Sequence, residues 1–188
     1  MVFRSGGLAR VGVINEPGRI GVTQMVKSEY MERVEGMAEV TFNYCRVTSK
    51  DVLIIISNSG RNAATIEMAM TARKHDIPVI AITSLEYSRG AASRYAHGKK
   101  LYDVVDVVID NQCPKGDCVI SLDGLTQPFG AISDVTGSFI LHSIIVQTIT
   151  TLVGMGMELP VFCSGNLDGS SEFNNKLIEK YRRRVRAF

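Results

Sequence analysis

Apolar residues along this chain fall into short unbroken runs separated by stretches of helical spacing. Val52-Leu53-Ile54-Ile55-Ile56 contains no polar position and stops at Ser57-Asn58-Ser59-Gly60-Arg61-Asn62. Five aliphatic residues in a row leave no solvated face, which predicts a strand covered on both sides, as in a parallel sheet. Ile77-Pro78-Val79-Ile80-Ala81-Ile82 repeats the pattern and ends at Thr83-Ser84, with Ser88 a turn further on. Between the two runs, residues 63–73 read as a helix with Asn62 as its N-cap. Residues 10–14 and 104–110 read as two further strands. Met25, Tyr30, Met31, Val34, Met37 and Ala38 recur at spacings of mostly three and four, which predicts a helix over 25–45 interrupted near Gly36. Val119-Ile120-Ser121 and Leu125-Thr126-Gln127 flank Leu122-Asp123-Gly124, whose Asp-Gly pair signals a hairpin. Ser133 or Asp134 starts a long helix that reaches about Val153 and ends at Gly154 and Gly156, and residues 172–185 form a last helix. The alternation predicts an α/β fold: a three-layer sandwich around a mostly parallel sheet of flavodoxin-like order, in one domain spanning 1–188.

The carboxyl ends of the strands in such a sheet share one edge, where ligands bind, so the loops after the first two runs should be neighbours. Both loops carry hydroxyls. Gly60 permits backbone geometry closed to other residues, and Ser57, Asn58, Ser59 and Asn62 can converge on a ligand at a helix N-terminus, where free N–H groups and the dipole favour an anion. Phosphate is the first expectation, with Asn58 orienting the loop and Thr83 and Ser84 completing the contacts. Arg61 either reaches the ligand or covers the surface. Ser88 reads equally well as a helix cap, and Ser133 and Thr136 either form a third wall or cap their own helix. The plain alternative is a Ser/Gly-rich turn that reverses the chain and binds nothing.

The segment Ile55-Ile56-Ser57-Asn58-Ser59-Gly60-Arg61-Asn62, followed one helix later by Val79-Ile80-Ala81-Ile82-Thr83-Ser84, resembles the sugar isomerase (SIS) domain. Members of that family bind phosphosugars with a Ser-x-Ser-Gly loop after one strand and a Thr-x-Ser or similar loop after the next. The chain is similar above all to a small bacterial subgroup of SIS proteins. That likeness includes Phe3-Arg4-Ser5-Gly6-Gly7-Leu8, Glu32-Arg33-Val34-Glu35-Gly36, Ser93-Arg94, Gly98-Lys99-Lys100-Leu101-Tyr102, Val108-Ile109-Asp110-Asn111 and Asn166-Leu167-Asp168-Gly169, and so covers nearly the whole chain. SIS domains begin with a helical segment and a central strand whose Gly-rich loop supplies part of the pocket. On this resemblance the chain starts beyond that strand, which implies an N-terminally shortened sheet, an exposed apolar edge and association to cover it. The resemblance implies a homodimer or homotetramer that takes a small-molecule sugar phosphate.

Isomerisation of an aldose-ketose pair needs a base at the carbon beside the carbonyl, and family members use a glutamate and usually a histidine. The candidate glutamates are Glu16, just past the end of the first strand, Glu35 and Glu172. Phe173 stands where the resemblance leads one to expect a histidine. Three readings follow: a sugar-phosphate isomerase acting on a plain or amino sugar, a non-catalytic phosphosugar sensor, and a lyase or etherase acting on N-acetylmuramic acid phosphate.

Composition narrows the class. The chain has 188 residues, 45% of them hydrophobic, which suits one globular domain. The longest apolar run, residues 139–146, is broken by His142 and Ser143 and is much shorter than the roughly twenty residues a span needs, so no membrane partner is expected. The first residues lack a basic start followed by an apolar stretch, and the expected location is the cytoplasm. A net charge of +2 gives no reason to invoke nucleic acid, and the basic cluster at residues 180–186 reads as the solvated end of a helix. The four cysteines lack zinc-knuckle spacing, the histidines number three, and neither a metal nor another cofactor is expected. His142 reads as an interior or interface residue.

Overall fold

A computed structural model of the chain describes residues 5–14 and 25–185. Two compact units share the chain. One comprises the residues up to Ile14 together with those from Leu141 onward, and the other runs from Asn15 to Ile140.

The larger unit is built on three parallel strands, β1 (Leu53–Ile56), β2 (Val79–Thr83) and β3 (Val107–Asp110), side by side in that order. Ile56 stands opposite Ile82, and Ile82 opposite Ile109. The central strand, β2, is the most completely buried, with Val79, Ala81, Ile82 and Thr83 fully excluded from solvent. Helices α1 (Met25–Met31) and α2 (Met37–Tyr44) precede the sheet, and α3 (Ala63–Lys74) joins β1 to β2. The covered positions of α3 are mostly small (Ala63, Ala64, Ala69, Thr71, Ala72), which lets its backbone come close, while Ile66 and Met68 fill the remaining space. α2 packs on α3, and Phe42 stacks on the His75 ring with centroids 5.1 Å apart. The architecture is α/β, as the alternation of runs predicts.

Several boundaries move. Residues 10–14 form no strand: they find no neighbouring strand to pair with, and the one ladder contact nearby is an isolated antiparallel bridge from Leu8 to Val161. β3 begins at Val107 rather than at 104, because Leu101–Asp103 closes a 3-10 turn and Asp106 turns back to Val79. Its amide donates to Val79 O, and its Oδ2 accepts from Val79 N at 2.8 Å. The interruption near Gly36 is present, with α1 ending at Met31 and Gly36 at φ +82° ahead of α2. The hairpin exists but is wider than the Asp-Gly signal suggests. β4 (Cys118–Ile120) pairs antiparallel with β5 (Phe129–Ala131), so residues 125–127 lie in the connection and not in the second strand. Ser88 is not a cap. It sits inside α4 (Leu85–Arg89), whose N-cap is Ser84, accepting from Tyr87 N at 3.0 Å.

Helix α5 (Ser133–Gly154) runs through 22 residues, of which only Gly137 is buried. Its apolar character extends well beyond the run at 139–146, and by length and composition alone it could cross a membrane. His142 is on its exposed surface. In the smaller unit, α6 (Ser170–Tyr181) is shorter than the run at 172–185 suggests, and the Arg10 guanidinium lies 5.5 Å from the centre of the Tyr181 ring.

Ile66→Ala should destabilise the protein by about 2–5 kcal/mol in urea unfolding, the range for truncating a fully buried aliphatic side chain. Val40→Ala on the exposed face of α2 should change it by less than about 0.5 kcal/mol.

Candidate anion-binding loop

The loop from Ser57 to Asn62 is pinned from three directions. Ser57 N donates to Ile82 O at 3.0 Å. The Asn58 carbonyl accepts from Ser84 N at 3.0 Å and from Thr83 Oγ1 at 3.2 Å. The Gly60 carbonyl accepts from Leu101 N at 2.8 Å, and the Arg61 carbonyl from Arg94 N at 2.8 Å. Asn111 Nδ2 reaches Asn58 Oδ1 at 3.0 Å, which fixes the Asn58 side chain against the end of β3. Gly60 takes φ +55°, and a Cβ there would lie 3.1 Å from both Ser88 Oγ and Thr83 Oγ1 and 3.3 Å from Leu101 Cβ. Only glycine satisfies both the positive φ and the close approach.

With the carbonyls turned inward, the opposite side of the loop carries donors. The N–H groups of Ser59, Gly60 and Arg61 and the hydroxyls of Ser57 and Ser59 have no hydrogen-bond acceptor among the described residues. They stand at the start of α3, the positive end of that helix.

The other hydroxyls single out different work. Thr83 and Ser84 are fully buried, and Ser84 Oγ donates to Cys113 O at 2.5 Å while capping α4. They hold the loop from behind. Ser88 is also fully buried, and its Oγ has no partner among the described residues. Ser133 Oγ donates to Asp117 Oδ2 at 2.5 Å, and Thr136 Oγ1 donates back to Ile132 O at 3.1 Å, so both fasten the start of α5. That start adjoins β1, where a Cβ on Gly137 would touch Ile56 Cγ2 at 3.8 Å.

Asn62 precedes α3 but makes no side-chain cap bond. Its amide is held at both ends: Nδ2 donates to Glu32 Oε2 at 2.6 Å, and Oδ1 accepts from Arg94 Nη1 at 3.3 Å. Neither Glu32 nor Arg94 is singled out by the chemistry of the sequence, because each lies about thirty residues from Asn62 with no local pattern to join them. The carboxylate of Glu35 accepts from Ala96 N at 2.7 Å, and that of Glu67 from Gly36 N at 2.8 Å. Burial, then the charges of Glu67 and Glu35, push the Tyr95 phenol above its ordinary pKa. Glu172 lies in the smaller unit, exposed and paired with Lys176 at 2.7 Å. Glu16 falls outside the described residues.

Residues 1–84 match the SIS domain. A UPF0309 protein of Halalkalibacterium halodurans is 43% identical over 178 residues, covering 95% of this chain and 74% of that relative. UPF0309 proteins of Oceanobacillus iheyensis and Geobacillus kaustophilus are each 38% identical, over 97% of this chain and 75% and 73% of their own lengths. The chain belongs to the UPF0309 family of SIS-domain proteins. The loop at 57–62 lies inside the matched SIS segment, which ends at Ser84, the residue that caps α4.

Gly60→Ala should lower stability by about 1–3 kcal/mol in chemical denaturation, since it combines left-handed strain with overpacking. Gly98→Ala, also at positive φ but with open space around it, isolates the strain and should lose less.

Proposed function

We propose that this protein binds the phosphate group of a sugar phosphate on the 57–62 loop and acts in the cytoplasm on that class of metabolite as a sugar-phosphate isomerase. The observation that carries the reading is the set of unspent donors, the Ser59, Gly60 and Arg61 amides with the Ser57 and Ser59 hydroxyls, gathered at the N-terminus of α3 within an SIS domain. Backbone amides at a helix start are a general solution for phosphate, and hydroxyls add bonds that adapt to its tetrahedral oxygens. On this reading Ser57, Ser59, Gly60 and Arg61 contact the phosphate. Asn58, Asn62, Thr83, Ser84 and Ser88 keep the loop in place, and Ser133 and Thr136 stiffen the neighbouring wall. Glu16 is the proposed base.

One observation favours a second reading, a phosphosugar sensor without turnover. Glu35 accepts from the Ala96 amide and Glu172 pairs with Lys176, so each carboxylate already has a partner in the fold. Self-association belongs to either reading. Val135, Val146 and Val153 are 69, 62 and 56% exposed and recur about every two or three turns on one side of α5, a stripe that a second copy would cover.

Thermal unfolding should be recorded with glucose 6-phosphate, glucosamine 6-phosphate and N-acetylmuramic acid 6-phosphate, and with the unphosphorylated sugars. At least one phosphorylated sugar should raise the melting temperature while its parent sugar does not, since a ligand of the native state stabilises it by mass action. Ser59→Ala should weaken that binding by about 1–2 kcal/mol. Conversion of the bound sugar by the wild-type chain and its loss in Glu16→Gln would establish the isomerase, whereas binding with no conversion would leave the sensor. Light scattering should give a multiple of the single-chain mass, and Val146→Asp with Val153→Asp should reduce it to one chain.

A further inference from the structure

We infer that Arg94 is a second anchor for the bound anion, a cation that the fold holds over the 57–62 loop and that favours a dianionic phosphate over singly charged or neutral groups. This inference rests on the reading of that loop as a phosphate site and adds to it a residue that lies outside the SIS-matched segment.

Arg94 reaches the loop twice. Its amide donates to Arg61 O at 2.8 Å, and its Nη1 donates to Asn62 Oδ1 at 3.3 Å. The first bond sets the backbone beside Arg61, and the second brings the guanidinium to the residue preceding α3. Arg94 forms no ion pair with a carboxylate among the described residues, and neither does Arg61, whose Nε is buried without a hydrogen-bond partner. The Arg94 guanidinium thus lies at the residue that precedes a twelve-residue helix, and Arg61 is that residue's neighbour in the chain. The positive end of the helix adds to the attraction that Arg94 exerts on a dianion bound at the loop.

The support beneath Arg94 is specific. Glu32 Oε2 holds Asn62 Nδ2 at 2.6 Å, so the Asn62 amide cannot turn and its Oδ1 stays aimed at the guanidinium. Glu32 does not itself form an ion pair with Arg94, which keeps the guanidinium's other N–H groups unspent. A guanidinium has five donors in a planar fork suited to phosphate oxygens, and one bond to Asn62 leaves the remainder. The Arg61 Nε, buried without a hydrogen-bond partner, is an independent sign that polar groups of this loop exceed their internal partners. The segment bearing Arg94 is itself tied down, with Ser93 Oγ donating to Lys99 O at 2.6 Å, the Ala96 amide held by Glu35 and the Lys100 ammonium bonded to Ser88 O.

The test uses the full chain and inorganic phosphate, titrated by calorimetry at pH 5.5 and pH 7.5. The second phosphate pKa lies between these values, near 7, so the dianion replaces the monoanion as pH rises. Wild type should bind more tightly at pH 7.5 than at pH 5.5. Arg94→Ala should weaken binding about tenfold or more at pH 7.5, the scale of a lost charge-assisted hydrogen bond, and should flatten the pH dependence. Arg94→Gln retains a donor for Asn62 Oδ1 without the charge, so the loop keeps its support. It should lose affinity to a similar degree, with its melting temperature within about 2 °C of wild type, the range of a surface change. If Arg94→Gln binds within twofold of wild type with the same pH dependence while Ser59→Ala is weakened, Arg94 is not an anchor and the loop remains the phosphate site. If wild type binds no phosphate at either pH, both readings fall.

Discussion

The approach of the Gly60 backbone to Thr83, Ser88 and Leu101 is the constraint around which the site is arranged. A residue without a Cβ, at φ +55°, lets the loop after β1 lie directly against the end of β2 and the start of α4. Once it lies there, the carbonyls of Asn58, Gly60 and Arg61 face the body of the unit and are taken by Ser84, Thr83, Leu101 and Arg94. A peptide unit points its carbonyl and its N–H in opposite directions, so turning the carbonyls inward turns neighbouring N–H groups outward. The donors at the start of α3 are thus a consequence of how the loop is anchored, and they need no rearrangement to meet an anion.

The charges near the loop divide into those spent on the fold and those left over. Glu32, Glu35 and Glu67 each hold a neighbour: the Asn62 amide, the Ala96 N–H and the Gly36 N–H. Together they bind the connection between α1 and α2 to α3 and to the segment that crosses the loop. Arg61 and Arg94 have no such employment among the described carboxylates. The acids here act as internal tethers, while the two arginines are not paired with any of them. The same division separates the hydroxyls. Those of Thr83, Ser84, Ser133 and Thr136 are consumed by protein acceptors, and those of Ser57 and Ser59 are not.

The parts of this fold that are legible in the chain are those with a short-range cause. The unbroken runs at 52–56 and 77–82 hold strands as expected, and α3 follows from its position between them and from its small residues. Only the central strand β2 is closely covered, whereas Val52 and Ile56 at the β1 edge are 54 and 49% exposed. Boundaries that depend on partners are not legible in this way. Residues 10–14 have strand composition but no strand beside them, and β3 starts late because Asp106 bonds back to Val79. The second arm of the hairpin begins at Phe129, several residues beyond the Asp-Gly pair, because pairing is decided by which residues face Cys118 and Ile120 across the ladder. The span of α5, by contrast, agrees with the reading from Ser133 or Asp134 to about Val153, because its start and its closing glycines are local signals.

The sequence by itself determined that one loop is rich in hydroxyls, contains a glycine, and runs from a buried strand into a helix. Those facts follow from residue type and from neighbours a few positions apart, and they suffice for the α/β class and for the expectation of an anion. Only the tertiary structure decided which polar groups face outward and which are used up. Ser84 meets Cys113, Asn58 meets Asn111, and Asn62 meets Glu32 and Arg94, across separations of 29, 53, 30 and 32 residues. A hydroxyl or an amide has the same composition whether it is tied or free, and what ties it comes from parts of the chain that become adjacent only when the sheet and its helices have packed.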